Sequence, residues 1–306
     1  MVTTLGSGDC GGSVYVQDFS ESLNFTGGAS LFLRTRRIAS LDRTIWTADC
    51  HNNGTHAVVG TNIGAALVNL ETGGTSWVYH SKSDIFSQQF VQSGNVVLCG
   101  HRNGAIVPVD IRQRQSSYLE NETRNARQTI RHSFRRNHAH RSKNGRIKTN
   151  RHVEMNADPS SSFRMSSSVC SLVSLQSDDR YFIGSSMDGY INLYDLRLQK
   201  GAVQTYRGHM NSHTHLQLGV DPSETFVMSG GEDFGVRIWN IKTGKLLFGE
   251  LLTSVPTTVC WPLSFSSGMP GQLERRTYLE NRSLDLNHNW GAWLGSEEGL
   301  FYMQWM

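Results

Sequence analysis

Two segments place an aspartate and an arginine two positions apart, each at the end of an alternating apolar and polar stretch. Asp195 and Arg197 follow Tyr194 in "DGYINLYDLR", and Asp110 and Arg112 occur in "VDIR". A guanidinium is a planar donor that can bind the carboxylates or carbonyls of a partner bidentately. The same arginine could instead stabilise only its own turn, where an exposed ion pair is worth about 0–1 kcal/mol. The residues alone leave both interpretations open.

No group of residues has the spacing of an active site or a ligand site. A nucleophile, a base and an orienting partner do not occur at recognisable spacing, which argues against an enzyme. The segment "GSGDCGG" lacks the Lys-Ser/Thr of a phosphate-binding loop. One polar segment contains four histidines without cysteines or the spacing of a zinc site: His132, His138, His140 and His152. We therefore assign no catalytic residue, no metal and no cofactor.

The composition is typical of a globular protein in a reducing compartment. The chain has 306 residues, of which 38% are hydrophobic and 18% charged, enough for a large core. Its five cysteines lie far apart and form no C-x-x-C pair, so we expect reduced thiols. No apolar run of about 18 residues is available to cross a bilayer. We expect a nuclear or cytoplasmic protein with no membrane partner.

One pattern recurs along the chain and indicates which elements position the two Asp-x-Arg segments. A short apolar strand, a small-residue step, a tight turn with glycine and an alternating strand follow one another in four segments. These segments begin at His56, Asn95, Tyr181 and Phe226. Short strands with frequent turns and almost no helical periodicity predict an all-β fold.

The segment around Phe226 resembles the WD40 repeat. The preceding "RGHMNSHTHLQLGVD" contains the glycine–histidine dipeptide that ends at His209. Asp233 lies in the tight turn, and Trp239 lies where the tryptophan of Trp-Asp is usual. The spacing fits one blade of a repeat of ~40–45 residues. The resemblance implies a WD40 β-propeller and a structural hydrogen-bond network, whose members would be His209, Ser229, Asp233 and Trp239.

About five blades of the propeller are recognisable, and residues 1–37 predict a further partial blade at the amino terminus. The recognisable blades lie at about 38–81, 82–134, 166–207, 208–250 and 251–306. We expect residues 38–306 to form the propeller. Seven blades require ~280 residues or more without insertions. The ring is therefore either an incomplete seven-bladed one or a ring closed by pairing an N-terminal strand with the last blade.

Two insertions interrupt the repeats. Residues 112–151 contain 12 Lys or Arg and 2 Asp or Glu, a net charge of +10, which leaves −7 for the rest of the chain. We expect a disordered or loosely held loop at about 113–165, with an outer strand near 127–134. Nucleic acid could bind residues 112–151, but the sparse aromatic residues favour a solvated loop. A second surface loop is expected at about 266–288.

The Asp-x-Arg segments resemble the Trp-Asp-x-Arg box of WD40 substrate receptors of cullin 4 RING ubiquitin ligases. Tyr194, Asp195 and Arg197 match this box with tyrosine in place of tryptophan. Asp110 and Arg112 form a second candidate, in which valine precedes the aspartate. The resemblance implies that these five residues bind the adaptor, which is the large subunit of the UV-damaged DNA-binding protein. We expect the acid and the base of each box not to need each other as partners.

The predicted function follows from this resemblance. "KSDIFSQQF", "GHRNGAIVPVDIR", "SSMDGYINLYDLR" and "YRGHMNSHTHLQLGVD" are similar, in order, to the family of the fourth cullin 4 associated factor. The likeness covers most of residues 44–248 and implies a noncatalytic substrate receptor. Its partners would be the adaptor, cullin 4 and an unidentified protein substrate, with Arg197 at the propeller rim. The alternative is a general WD40 scaffold, including one that contacts nucleic acid through the basic insertion.

Overall fold

A computed structural model describes residues 1–6, 11–17, 35–113, 163–198, 201–261 and 290–305. Within these ranges every regular element is a β-strand, and the strands form six antiparallel sheets that follow one another along the chain. Four sheets have four strands and two have three. The prediction of an all-β propeller with about five blades and a partial N-terminal one is confirmed.

The strands are numbered in chain order and grouped by sheet. Sheet 1 contains β1 (Val2–Thr4), β2 (Ser13–Gln17) and β3 (Thr35–Ser40). Sheet 2 contains β4 (Ile45–Cys50), β5 (His56–Thr61), β6 (Gly64–Asn69) and β7 (Thr75–His80). Sheet 3 contains β8 (Ile85–Phe90), β9 (Val96–His101), β10 (Ala105–Asp110) and β11 (Phe163–Arg164). Sheet 4 contains β12 (Val169–Ser174), β13 (Tyr181–Ser186), β14 (Ile191–Asp195) and β15 (Gln204–Tyr206). Sheet 5 contains β16 (Leu218–Val220), β17 (Phe226–Gly230), β18 (Gly235–Asn240) and β19 (Leu246–Leu251), and sheet 6 contains β20 (Pro256–Cys260), β21 (Trp290–Ser296) and β22 (Gly299–Trp305).

The fourth strand of sheet 3 corrects one boundary of the predicted insertion. The sequence predicts an insertion at about 113–165, yet Phe163 and Arg164 pair with Ile106 and Ala105 of β10. Phe163 is buried, and its ring lies 5.2 Å from that of Phe182 in sheet 4, which fixes this short strand. The outer strand expected near 127–134 lies outside the described residues. The second predicted loop, at 266–288, also lies outside them.

Apolar clusters join each sheet to the next. One buried cluster contains Leu98 of sheet 3 together with Phe182 of sheet 4. The next contains Ile183 of sheet 4 together with Val227 of sheet 5. Neighbours on a strand thus face opposite neighbouring sheets, as the alternation of side chains in a strand requires. Each sheet between two others therefore buries both faces, which is the stabilising principle of a propeller.

The turns of the sheets lie at two opposite ends, and we name both ends. The arginine face is formed by turns that connect first to second and third to fourth strands, and it includes Arg112, Arg180 and Arg197. The opposite face is formed by the second-to-third turns and the links between sheets. It includes Arg102, whose carbonyl accepts a hydrogen bond of 2.6 Å from Ser168, just before β12. Among the described residues there is no helix long and apolar enough to span a membrane.

Candidate functional site

Asp195 and Arg197 form a closed turn at the end of β14. The backbone N–H and Nε of Arg197 donate to Oδ1 of Asp195 at 2.9 and 3.0 Å. Nη2 of Arg197 donates to Oδ2 at 2.6 Å. The expectation that acid and base need not pair is therefore wrong, because the two-residue spacing lets the guanidinium fold back on its own aspartate.

The pairing leaves the guanidinium accessible and fixes its orientation. The side chain of Arg197 is 55% exposed, whereas that of Asp195 is 2% exposed. Hydrogen bonds from Arg197 lower the pKa of Asp195 to about 2 despite the opposing effect of burial. The same hydrogen bonds raise the pKa of Arg197. The turn therefore presents a fixed cation with N–H groups on Nη1 available to an acceptor on another molecule.

The Asp110–Arg112 turn repeats this geometry at the end of β10. The backbone N–H and Nε of Arg112 donate to Oδ1 of Asp110 at 2.9 and 3.0 Å, and Nη2 donates to Oδ2 at 2.7 Å. The Arg112 side chain is 65% exposed. Hydrogen bonds from Arg112 lower the pKa of Asp110 to about 2. Both predicted arginines thus lie on the arginine face, in two consecutive sheets.

Tyr194 is placed differently from the prediction that it binds the adaptor. Its side chain is buried, and its ring stacks on Phe182 at 5.1 Å and meets Phe163 edge-on at 5.4 Å. Its hydroxyl accepts a hydrogen bond from Asn192 at 3.2 Å. Burial raises the pKa of Tyr194. The aromatic residue before the aspartate therefore packs between sheets 3 and 4 and supports the turn, without access to a partner.

The internal repeat shows that the Asp-x-Arg turn belongs to sheets 3 and 4. The corresponding positions are Asn69 and Glu71 in sheet 2, and Asn240 and Lys242 in sheet 5. Oδ1 of Asn69 accepts the N–H of Glu71 at 2.9 Å, so this turn closes without a guanidinium. Closing the turn does not require arginine, and the two arginines therefore call for another explanation.

A third Asp-x-Arg turn went unnoticed in the sequence. Asp178 and Arg180 lie between β12 and β13, and Nε of Arg180 donates to Oδ1 of Asp178 at 2.6 Å. The spacing in "SDDR" is the same as in the other two turns. It was missed because this arginine precedes a strand, whereas the expected box follows one.

The predicted WD40 network is only partly formed, and His209 and Ser229 are its connected pair. Nε2 of His209 lies 2.9 Å from the Gly230 carbonyl oxygen and 3.3 Å from Oγ of Ser229. Nδ1 lies 3.3 Å from the Gly189 carbonyl oxygen in the neighbouring sheet. Burial lowers the pKa of His209. The histidine thus joins sheets 4 and 5 at the opposite face.

Asp233 and Trp239 have other partners, which corrects the predicted network. Arg237 donates through Nη1 to Oδ1 of Asp233 at 2.9 Å and through Nη2 to Oδ2. Arg237 lies on β18, four positions after Asp233, and its guanidinium binds both carboxylate oxygens of that aspartate. The indole N–H of Trp239 donates to the Arg207 carbonyl at 2.8 Å. Among the described residues these four side chains do not form one continuous chain.

The described part of the chain offers no alternative metal-dependent site. Within it, no group of three or more His, Cys, Asp or Glu side chains is arranged to hold a metal ion. The four histidines of the basic insertion lie outside the described residues.

Comparisons with known proteins agree with this architecture. A family model described as the DDB1- and CUL4-associated factor 4 beta-propeller domain matches residues 146–269. Human DDB1- and CUL4-associated factor 4-like protein 2 is 38% identical over 91 residues, which is 30% of this chain and 21% of that protein. WD repeat-containing protein 21 of Schizosaccharomyces pombe is 22% identical over 265 residues, which is 85% of this chain and 50% of that protein.

A solved structure extends the likeness to the whole fold. In the crystal structure of the Mitotic Checkpoint Complex, one chain superposes with a TM-score of 0.57 at 17% identity, covering 95% of this chain and 70% of that one. This chain spans between 16% and 50% of the length of the curated relatives it matches. The chain is therefore a WD-repeat β-propeller similar to that of DDB1- and CUL4-associated factor 4, as the sequence motifs had indicated.

Proposed function

We propose that this chain is a noncatalytic substrate receptor that docks on the adaptor of a cullin 4 RING ubiquitin ligase through its arginine face. The family model and the human relative are both named for association with DDB1, which we take as the adaptor, and with CUL4, the cullin. The observation that carries the proposal is the pair of exposed, clamped guanidiniums of Arg112 and Arg197 in consecutive sheets. Ubiquitin transfer would reside in other subunits, and this chain would hold the protein substrate.

The clamp by aspartate suits a docking role. A free arginine side chain loses rotamer entropy when it binds, whereas an arginine already held by its own turn loses less. The planar fork can then bind carbonyl or carboxylate oxygens of the adaptor with defined geometry. Glu71 and Lys242 at the equivalent positions of sheets 2 and 5 cannot present such a fork.

Co-purification with the adaptor tests the proposal. The Arg197→Ala chain, expressed in cells with an affinity tag, is expected to lose the adaptor and cullin 4. Arg102→Ala is the matched control, because Arg102 is 67% exposed and also pairs with an aspartate, but lies on the opposite face. Retention of the adaptor by the Arg197→Ala chain at the wild-type level would reject the proposal.

A second variant separates docking from folding. Arg197→Ala leaves the buried carboxylate of Asp195 without its partner and lowers stability for that reason alone. The double substitution Asp195→Asn with Arg197→Ala removes this unpaired charge. Loss of the adaptor from the double variant, with a melting temperature within a few degrees of wild type, supports docking.

The basic insertion supports a second candidate function, a scaffold that contacts nucleic acid. Its net charge of +10 over residues 112–151 contrasts with −7 for the rest of the chain. Binding of this kind falls steeply with salt concentration. Deleting residues 113–160 should abolish retention on an RNA or DNA column and leave adaptor binding intact. Loss of both activities in the deletion variant would contradict this separation.

A further inference from the structure

Arg180 occupies the arginine face with the same clamped geometry as the two predicted arginines. Its backbone N–H and Nε donate to Oδ1 of Asp178 at 3.1 and 2.6 Å, and its Nη2 donates to Oδ2. The side chain is 50% exposed. Hydrogen bonds from Arg180 lower the pKa of Asp178. Arg180 thus carries a fixed, accessible guanidinium that the Asp-x-Arg box of the sequence analysis does not include.

Arg180 lies directly beside the Arg197 turn. The N–H of Leu196 donates to the Arg180 carbonyl at 2.7 Å, and Tyr181 pairs with Asp195 across β13 and β14. The positive charge of Arg180 contributes to the lowered pKa of Asp195, although less than the hydrogen bonds from Arg197. The two clamped arginines therefore belong to one surface of sheet 4.

Among the four sheets that have four strands, sheet 4 alone has an arginine at this position. The backbone hydrogen bond from Leu196 to Arg180 recurs in three other sheets at 2.8–2.9 Å. Its acceptors there are the carbonyls of Thr55, Asn95 and Thr225. The bond uses only the main chain, so the repeat does not require arginine at position 180.

Sheet 5 supplies the support that fixes the turn before Arg180. Glu224 accepts the backbone N–H of Ser177 at 2.9 Å, and also the N–H of Gln176 and the Ser177 hydroxyl. Glu224 itself has a φ of 53°, a conformation that is rare for a residue with a side chain. A carboxylate from one sheet thus holds the turn that presents Arg180 in the next.

We propose that Arg180 and Arg197 act together as a two-pronged donor surface for the adaptor, which deepens and rests on the proposed function. Each guanidinium uses Nε and Nη2 on its own aspartate. Nη1 of each has no hydrogen bond to the described residues and is available to a partner oxygen. Two such prongs on adjacent segments fix the orientation of a partner better than one alone.

The charge of this surface indicates which chemical class of partner it fits. Asp178, Asp179 and Asp195 outnumber Arg180 and Arg197 by one, so the surface has no net positive charge. A polyphosphate backbone requires an excess of cations. Next to Arg197, the exposed Leu198 adds an apolar contact. The surface therefore fits a protein segment with unpaired backbone carbonyl or carboxylate oxygens.

The test is a binding titration of the purified adaptor against single variants of the full chain. Arg180→Ala is expected to weaken binding about five- to twentyfold. This is the expected effect of losing charge-assisted hydrogen bonds to the adaptor when water replaces part of them. Arg180→Lys is expected to lose most of the same affinity, because an ammonium group cannot bind both oxygens of Asp178 and at the same time donate to the adaptor. Arg102→Ala remains the matched control and is expected to bind like wild type.

The outcomes distinguish this inference from the proposed function. If Arg197→Ala weakens binding and Arg180→Ala behaves like the Arg102→Ala control, the inference is overturned and the proposed function stands. If neither arginine affects binding, both are overturned. If Arg180→Ala removes binding of an RNA or DNA oligonucleotide and leaves the adaptor unaffected, the partner class is wrong and the inference is rejected.

Discussion

Replacing Asp195 by asparagine tests whether the buried carboxylate is what fixes the Arg197 guanidinium. The substitution keeps the shape of the side chain and removes its charge. The remaining oxygen can still accept the N–H and Nε of Arg197, but the new amide places an NH2 group against Nη2. One of three hydrogen bonds is thereby lost, and two donors face each other.

The expected effect on stability can be estimated from these contacts. A hydrogen bond to a charged group contributes about 1.5–3 kcal/mol. The guanidinium of Arg197 is half exposed, so water compensates part of the loss. We expect the free energy of unfolding of Asp195→Asn to fall by about 1–2 kcal/mol at pH 7. The freed guanidinium should also bind the adaptor less tightly, since its orientation is no longer fixed.

The pH dependence provides a sharper test than the magnitude. The pKa of Asp195 is lowered to about 2 in the fold, compared with about 3.9 in an unfolded chain. A group whose folded pKa is lowered contributes stability that is complete above the unfolded pKa and is lost as the pH falls through the folded pKa. The asparagine variant does not titrate here, so the difference from wild type should shrink below pH 4.

Urea unfolding followed by tryptophan fluorescence at pH 7, 5 and 3.5 measures this difference. Asp110→Asn is the matched control, because Asp110 makes the same three contacts but is more exposed than Asp195. Its effect on stability should be smaller. A difference from wild type that stays constant down to pH 3.5, or equal effects of the two substitutions, would refute the reasoning.

Two further predictions concern the buried groups of the propeller. Trp239→Phe should lower the free energy of unfolding by about 1–2 kcal/mol, because the indole N–H donates to the Arg207 carbonyl in a buried site. Trp46→Phe, at an exposed tryptophan, is the control, and equal losses would contradict the assignment. Burial lowers the pKa of His101 and of His209, so protonation favours the unfolded chain and the melting temperature should fall between pH 7.5 and 5.5. A melting temperature that is flat over this range would contradict it.

The fold was predictable because each repeat carries its own local signals. Apolar positions alternate along the strands, and glycine occurs where a tight turn requires a positive φ, as at Gly104 and Gly189. These signals act within a few residues and can be read from a single sequence. The strand at Phe163 was counted as part of the insertion because its partner β10 is distant in the sequence, and local patterns do not encode such pairing.

The candidate site was predictable only in part. The positions of Arg112 and Arg197 follow from strand ends, which the alternation shows. The burial of Tyr194 depends on Phe182, which lies on the neighbouring strand β13, and on Phe163, which lies in sheet 3. Arg180 was missed because its place beside Arg197 results from strand pairing between β13 and β14.

Arg112 lies at the boundary between the arginine face and the basic insertion. It is the first of the 12 basic residues that extend to Arg151, yet its guanidinium is bound to Asp110. Each Asp–Arg pair is neutral overall, so the long-range attraction for polyanions is reduced while short-range donors remain. Attraction between net charges is screened by salt over about 10 Å at 0.1 M, but a hydrogen bond at contact distance is affected much less. We therefore expect the arginine face to select partners by the geometry of their acceptor oxygens, independently of the charge in the adjoining insertion.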